Sequence, residues 1–359
     1  MKKKRVLMAL SGGVDSAVAA ILLKDSGYEL IGATIKSWTP PGYEEITDDI
    51  GGCCSLSSVE DARRLAFQLD IPYYVLNFSD AFEESVVQPF VQGYFQGITP
   101  NPCILCNRLI RFDLLYKKAR ELEADYVATG HYARIKEDEF GFHLFKGIDL
   151  QKDQSYMLYT IKQEELAMTL YPLGEMTKEE VRQIASKRGL DISDKPDSQD
   201  ICFIPEGNVG DFLENYQPGD YSGQIRHLNG TVLGQHQGYH RYTVGQRKGL
   251  NISWTEPLYV VAITPWNKEV VVAERNFVFS SYFEGDQVHW IDGKKHREEE
   301  VEVKIRYSQA SYPALVKTDE QTGRVQVFLK QEVAAITKGQ SAVFYRGDQV
   351  LGGARIIKT

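Results

Sequence analysis

Near the start of the chain, Ser11-Gly12-Gly13-Val14-Asp15-Ser16 lies between two apolar runs that leave little choice of local structure. Val6 to Leu10 reads as a buried strand, and Ala17 to Leu23 as the apolar body of a helix. Two adjacent glycines let the backbone turn sharply between them and bring its N–H groups close to an anion. The helix behind them aims the positive end of its dipole at the same place. Ser11 and Ser16 add hydroxyl donors. Asp15 is the odd member, because a carboxylate in a phosphate nest makes sense only where a metal ion or a polar ligand edge meets it. The stretch lacks the Gly-Lys-Ser/Thr ending of a Walker A loop and is not G-x-G-x-x-G. Strand, glycine turn and helix in this order commit the first part of the chain to an α/β fold with its ligand beyond a strand's carboxyl end.

The next 190 or so residues repeat that alternation. Strands are expected at Arg5–Leu10, Glu29–Ile35, Tyr73–Phe78 and Tyr126–Thr129, the last running into Gly130-His131. Helices are expected over Ser16–Asp25, from Ser58 to about Leu69, over Phe82–Phe95 and over Ile104–Leu122. Thr177-x-x-Glu180 caps a further helix that ends at Gly189. Such alternation implies a doubly wound parallel sheet covered on both faces. The loops after Leu10, Ile35 and Thr129 then share one site. Phe142–Lys146 reads as a short strand, and 37–55 and 193–198 as loops.

After about Ile204 short strands alternate with turns, and Asn229-Gly230 is a strong hairpin signal. The expected division is 1–204 as the α/β domain, 205–275 as a small mostly-β domain and 276–359 as a β-barrel-like domain. Val301–Tyr307 is expected to be one strand, with Arg306 and Tyr307 inside it.

The chain of 359 residues is 43% hydrophobic, ample for several cores. No apolar run approaches the roughly 20 residues that span a bilayer. No signal-peptide pattern precedes the first strand, so the chain reads as cytoplasmic, with no membrane partner. The net charge of −8 gives no global footprint of a nucleic-acid binder, but leaves room for a local basic surface such as Gln246-Arg247-Lys248-Gly249. Five cysteines, an odd number, argue against a secreted disulfide framework.

Those cysteines carry the remaining chemistry. Cys103-Ile104-Leu105-Cys106 is a C-x-x-C that alone fits a redox pair, half a zinc site or chance. A zinc site would want two more ligands, and no second C-x-x-C exists. Cys106 falls near the start of a predicted helix, beside Arg108 and Arg111, which favours a nucleophilic thiolate. Cys202 by itself reads as a buried structural cysteine, and so do Cys53 and Cys54 in their glycine-flanked loop. Nothing in the spacing brings Cys106 and Cys202 together.

The Ser11–Ser16 stretch resembles the SGGxDS signature of the PP-loop ATP pyrophosphatases, whose fold is adenine nucleotide α-hydrolase-like. The combination of motifs is more specific. Thr99 to Asn107, Ala128-Thr129-Gly130-His131-Tyr132, Lys152 to Tyr156, Asp197 to Ile204, Thr243 to Leu250, Arg306-Tyr307 and Gly339 to Phe344 occur in the family order of the bacterial tRNA-specific 2-thiouridylases, over nearly the whole chain. The resemblance implies ATP- and Mg²⁺-dependent 2-thiolation of the wobble uridine of lysine-, glutamate- and glutamine-type tRNAs. ATP would sit on Ala9, Leu10, Ser11, Gly12, Gly13, Val14, Asp15 and Ser16, with Ile35 and Gly130 lining the site. Asp15 would organise Mg²⁺ and pyrophosphate. Cys202 would carry sulfur as a persulfide, and Cys106 would be the nucleophile that ends in a disulfide with it. The sulfur would come from a donor protein, either a cysteine desulfurase or a persulfide relay. Asn101, Pro102 and Cys103 would face the target base, and His131, Lys152, Asp153, Gln154, Arg306, Tyr307 and Gln340 would contact tRNA.

One position varies: some family members carry Asp where this chain has Cys103, so no carboxylate is offered there. The three thiols Cys103, Cys106 and Cys202 form an alternative ligand set for a [4Fe-4S] cluster with one open iron. The first motif alone also suits an amide-forming PP-loop synthetase, which would need neither Cys106 nor Cys202. A non-enzymatic RNA-binding protein is disfavoured by the intact loop.

Overall fold

The structure is a computed structural model and describes residues 3–40, 56–190, 201–204 and 209–359. Cys53, Cys54 and the first half of the Asp197–Ile204 motif therefore lie outside the described residues.

The first strands are β1 (Arg5–Ala9), β2 (Glu29–Lys36), β3 (Tyr73–Asn77), β4 (Tyr126–Ala128), β5 (Ala133–Asp138), β6 (Gly141–Lys146) and β7 (Thr169–Leu170). Five of them form a wholly parallel sheet in the order β3-β2-β1-β4-β7. Val6, Leu7 and Met8 are all buried, which is what a strand covered on both faces requires. The cover comes from α1 (Val14–Asp25), α2 (Leu56–Gln68), a helical stretch over 79–95 (α3), another over 102–121 (α4) and α5 (Lys178–Lys187). The parallel sheet expected from the alternation is present. Because β1 is flanked by β2 on one side and β4 on the other, the chain reverses direction across the sheet at the carboxyl end of β1. In open parallel sheets that is where ligands bind.

Strands β8 (Gly223–His227), β9 (Val232–His236), β10 (Leu258–Thr264) and β11 (Glu269–Glu274) make a separate sheet in the order β10-β11-β8-β9, preceded by helix α6 (Val209–Tyr216). The Asn229-Gly230 turn is a hairpin turn, with Gly230 at φ +94°.

The remaining strands are β12 (Phe279–Trp290), β13 (Glu298–Lys304), β14 (Tyr312–Thr318), β15 (Val325–Ala334), β16 (Ser341–Arg346) and β17 (Gln349–Lys358). They run β12-β15-β14-β13-β16-β17 and close through β12 onto β17, giving a six-stranded barrel. Strand β13 ends at Lys304, so Arg306 and Tyr307 lie in the following turn and not in a strand as expected.

Hairpin β5–β6 belongs to the first part of the chain but pairs with the barrel, Leu144 opposite Val350. One continuous core accordingly joins Leu7, Ile31 and Val127 of the parallel sheet to Tyr156, Val343 and Tyr345. Among the described residues no helix is long and apolar enough to cross a membrane.

Candidate active site

The Ser11–Ser16 loop is shaped from inside and from above. Gly12 has φ +71°, and a Cβ there would stand 2.3 Å from the Ser58 carbonyl oxygen in the first turn of α2. Only glycine fits that position. Ser16 Oγ accepts from the Ser11 N–H at 3.1 Å and donates to the Gly13 carbonyl at 3.0 Å, which draws the turn into a closed ring. Gly13 is extended at φ −100° and serves as the residue before α1. From the other side Gly130 presses on the loop, where a Cβ would meet Ser16 N at 2.8 Å and the Asp15 carbonyl carbon at 2.9 Å. The loop after β1 and the loop after β4 are thus in backbone contact. Leu10 offers less than expected. Its side chain is buried, its N–H is taken by the Ala33 carbonyl and its own carbonyl accepts from Thr34. Ala9 and Ile35 are half-buried at the ends of β1 and β2.

Asp15 is tied to the protein. Lys178 donates to its two oxygens at 2.8 and 2.9 Å, and the Tyr132 hydroxyl donates at 2.7 Å. Asp15 thereby bridges α1 and α5, with its carboxylate facing the Lys178 ammonium. Lys178 was not singled out from the sequence, yet it carried a signal. It is the first residue of α5, where the helix dipole disfavours a cation, and it is buried.

His131, expected to touch tRNA, is buried against the sheet instead. Its Nε2 accepts from Arg111 at 3.1 Å, leaving Nδ1 to donate to Thr129 Oγ1 at 2.7 Å. Burial first, and the Arg111 charge second, hold its pKa down to about 3. A neutral His131 therefore joins the Gly130 loop to α4, the helix that carries the cysteines.

That helix starts at Pro102, with Asn101 as its cap: the Asn101 side-chain oxygen accepts from the Cys103 N–H at 3.1 Å. Cys103, exposed, takes the first turn. Cys106 sits two residues further into the helix than expected, at the start of a π-helical run over Cys106–Leu115. Such wide turns recur at functional sites. Cys202, in a turn beside buried Phe203, packs on the cluster of Phe82, Phe90 and Ile110, and Cys106 packs on the same cluster. Phe203 is locked there by edge-on contacts with Phe82 at 5.7 Å and Phe90 at 5.4 Å. The fold thus packs against one aromatic cluster two cysteines that the spacing left unconnected. Among the described residues no group of three His, Cys, Asp or Glu side chains is placed to hold a metal, which gives the alternative cluster set of Cys103, Cys106 and Cys202 no support.

The residues expected to face tRNA divide. Pro102 and Asp153 are buried. Asp153 accepts from Gly147 N, Ser155 N and Ser155 Oγ and is a loop organiser. Gln154 accepts from the Tyr132 N–H at 3.1 Å. Arg306 spends one guanidinium nitrogen on the Val244 carbonyl, the Ala335 carbonyl and Thr337 Oγ1, bracing the central sheet against the barrel. Gln340 donates to the Thr99 carbonyl at 2.8 Å. Burial or internal bonding thus gives His131, Asp153, Arg306 and Gln340 structural work within the fold. Cys103 and Tyr307 remain exposed, while Asn101 and Lys152 are half-buried. Burial first, then the charges of Asp153 and Cys103, raise the Tyr307 hydroxyl, which puts Tyr307 and Cys103 on one surface. Arg247 and Lys248 are exposed on a turn ordered by Gln246, as expected.

Three family models match the chain: "tRNA methyl transferase HUP domain" over 4–206, "tRNA methyl transferase PRC-barrel domain" over 210–274 and "Aminomethyltransferase beta-barrel domain" over 280–356. A tRNA-specific 2-thiouridylase MnmA of Carboxydothermus hydrogenoformans is 48% identical over 99% of this chain and 98% of its own. Those of Clostridium botulinum and Clostridium perfringens are 47% and 46% identical, each over 99% of this chain and over 98% and 99% of their own.

Proposed function

This chain belongs to the family of tRNA-specific 2-thiouridylases, and we propose that it is a tRNA-uridine 2-sulfurtransferase driven by ATP. The observation that carries the mechanism is the pairing of an intact SGGVDS loop at the sheet's reversal point with Cys106 and Cys202 on one aromatic cluster.

The uracil 2-carbonyl is a poor electrophile because its oxygen is a poor leaving group. Transfer of AMP from ATP to that oxygen releases pyrophosphate and makes AMP the leaving group. The N–H groups of the Ser11–Ser16 turn and the start of α1 supply the positive potential that pyrophosphate needs. Mg²⁺, when bound, neutralises triphosphate charge; Asp15 serves it by fixing Lys178 and the start of α1.

Sulfur reaches Cys202 as a persulfide from a donor protein. The terminal sulfur attacks C2, AMP leaves, and the Cys106 thiolate attacks the Cys202 sulfur. The S–S bond breaks, 2-thiouridine is freed and a Cys106–Cys202 disulfide forms, which an external thiol reductant must reopen. The shared cluster of Phe82, Phe90 and Phe203 supports this order, because it holds both cysteines on one apolar floor. The target is the wobble uridine of lysine-, glutamate- and glutamine-type tRNAs, and a flipped or loop-exposed base is the form such a site admits.

The test is incubation with ATP, Mg²⁺, a persulfide donor and unmodified tRNA, followed by mass analysis of the nucleosides. 2-Thiouridine with equimolar AMP and pyrophosphate is the expected outcome. Replacement of Cys106 or Cys202 by Ser should abolish thiouridine. Product formation untouched by both cysteine changes would sink the sulfur-relay reading.

A further inference from the structure

Lys304, the last residue of β13, has not figured in the site so far. Its side chain is half-buried, with Nζ 5.5 Å from the centre of the Tyr307 ring and 6.0 Å from that of Tyr156. Two ring faces hold the cation electrostatically but accept none of its hydrogen bonds in the ordinary sense. Among the described residues Lys304 has no hydrogen-bond acceptor and no ion-pair partner. A partly desolvated ammonium with unused donors is unfavourable unless something supplies an acceptor.

After burial, two charges act on Lys304, Asp153 more strongly than Lys146. Lys146 at the end of β6 lies close enough to repel it, with Nζ 4.7 Å from the Tyr345 ring centre and donating to the Gly347 carbonyl. Asp153 is the counter-charge acting on Lys304, and its oxygens already serve Gly147 and Ser155. Two ammonium groups against one committed carboxylate leave the pocket net positive. It opens beside Tyr307, 39% exposed, and the exposed Cys103.

We propose that Lys304, seconded by Lys146, is an anchor for the phosphodiester that flanks the target nucleotide, holding the backbone while the base turns toward Cys103. The proposal rests on the tRNA-thiolation reading. A lysine acts on phosphate as a mobile point charge, which suits a strand end facing a flexible anticodon loop. Tyr307 would then do two things at once: its ring fixes the ammonium and its exposed edge meets the nucleotide. The same chemistry would fit a phosphate of ATP, and the two sources are separable by which substrate's binding responds.

The experiment is tRNA binding measured across a salt series for the wild-type protein and for K304Q, K304M and K304R, with steady-state thiolation run alongside. K304M keeps the stem that packs on the two rings, so it guards against a folding artefact in K304Q; thermal unfolding checks both. Loss of one phosphate contact should flatten the plot of log Kd against log salt by about 0.7 to 1. K304Q and K304M should show that flattening, K304R should restore the wild-type slope, and the KM for tRNA should rise while the KM for ATP stays put. An unchanged salt slope in both neutral variants overturns the anchor, and so does a rise confined to the KM for ATP. Absence of 2-thiouridine with the wild-type protein would be a failure of the thiolation reading, and the salt slopes would still decide the anchor separately.

Discussion

His131 shows what a buried hydrogen-bonded imidazole does to a protein's acid tolerance. Its pKa is about 3 in the fold against an ordinary value of 6.5, so between those two pH values the unfolded chain binds a proton that the fold refuses. Stability therefore rises with pH across that window and is lost as the pH falls through it. His131→Gln, which keeps an acceptor for Arg111, should flatten this dependence. Urea unfolding at a series of pH values from about 4.5 to 7 reads it directly, and equal slopes in variant and wild type would refute the assignment. Asp15 and Lys178 make the second case. Asp15→Asn leaves a buried ammonium facing an amide and should destabilise the protein by about 2 kcal/mol, more than Lys178→Met, which removes the charge altogether. A double-mutant cycle of the two changes should give a coupling energy of at least about 1 kcal/mol, and additive effects would show the pair to be incidental. At this scale the sequence was only partly legible. The oddness of Asp15 in an anion nest was visible from the residue alone, but its partner stands on another helix, far along the chain. Lys178 at a helix start was the missed clue. Along the sequence Arg111 is a neighbour of Cys106, and its bond to His131 depends on two elements that only the fold sets side by side.

Among the elements, the two adjacent glycines of the SGGVDS turn have different reasons to be glycine. Gly12 has positive φ, and a Cβ there would overlap the backbone of Ser58. Gly13 has ordinary extended angles, and its Cβ would touch nothing closer than Ser11 Oγ at 3.5 Å. Gly12→Ala should therefore destabilise the fold by about 2 kcal/mol or more, through strain and overlap with backbone that cannot yield. Gly13→Ala should leave the unfolding free energy within about 0.5 kcal/mol of wild type and still weaken ATP binding, because the new methyl stands where phosphate must approach. Calorimetric titration with ATP beside thermal melts separates the two; a Gly13→Ala protein that binds ATP normally would remove the ligand from that turn. The strands and helices of the parallel sheet were readable because each carries its own periodicity and its own stops, such as Thr177-x-x-Glu180 and Gly189. What was not readable is whatever depends on a distant partner. The π-helical run that begins at Cys106 leaves no mark in composition. Of hairpin β5–β6 only Phe142–Lys146 reads locally as a short strand, and nothing in it names the barrel strand it joins.

Across the whole molecule, the β-rich parts of the chain also hold the active-site segment. Residues 97–102 lead into the cysteine helix and are gripped from both sides. A Cβ on Gly97 would meet Pro265 Cγ at 3.1 Å, at the β10–β11 turn, and Gly339 lies so close that its Cβ would strike Ile98 at 2.1 Å. Thr99 donates its N–H to the Lys338 carbonyl at 3.0 Å and accepts from Gln340 at 2.8 Å, in effect adding a strand to the barrel rim. Arg306 braces the same rim against Val244 of the central part. A shift of the barrel would therefore reach Asn101, Cys103 and Cys106 through backbone contacts, whereas the SGGVDS loop is tied to α2, α5 and β4. The two halves of the reaction should then respond differently to loosening the grip. Gln340→Ala deletes one hydrogen bond and leaves the Thr99 carbonyl without that donor, a loss of about 1 kcal/mol that should barely move the melting temperature. Thiouridine formation in a single turnover should slow by about fivefold to tenfold, the rate equivalent of that energy, while ATP affinity stays at the wild-type value. A parallel loss of ATP affinity would mean that the rim and the nucleotide loop move as one body, and that the cysteine segment has no separate linkage to the surface that receives the tRNA.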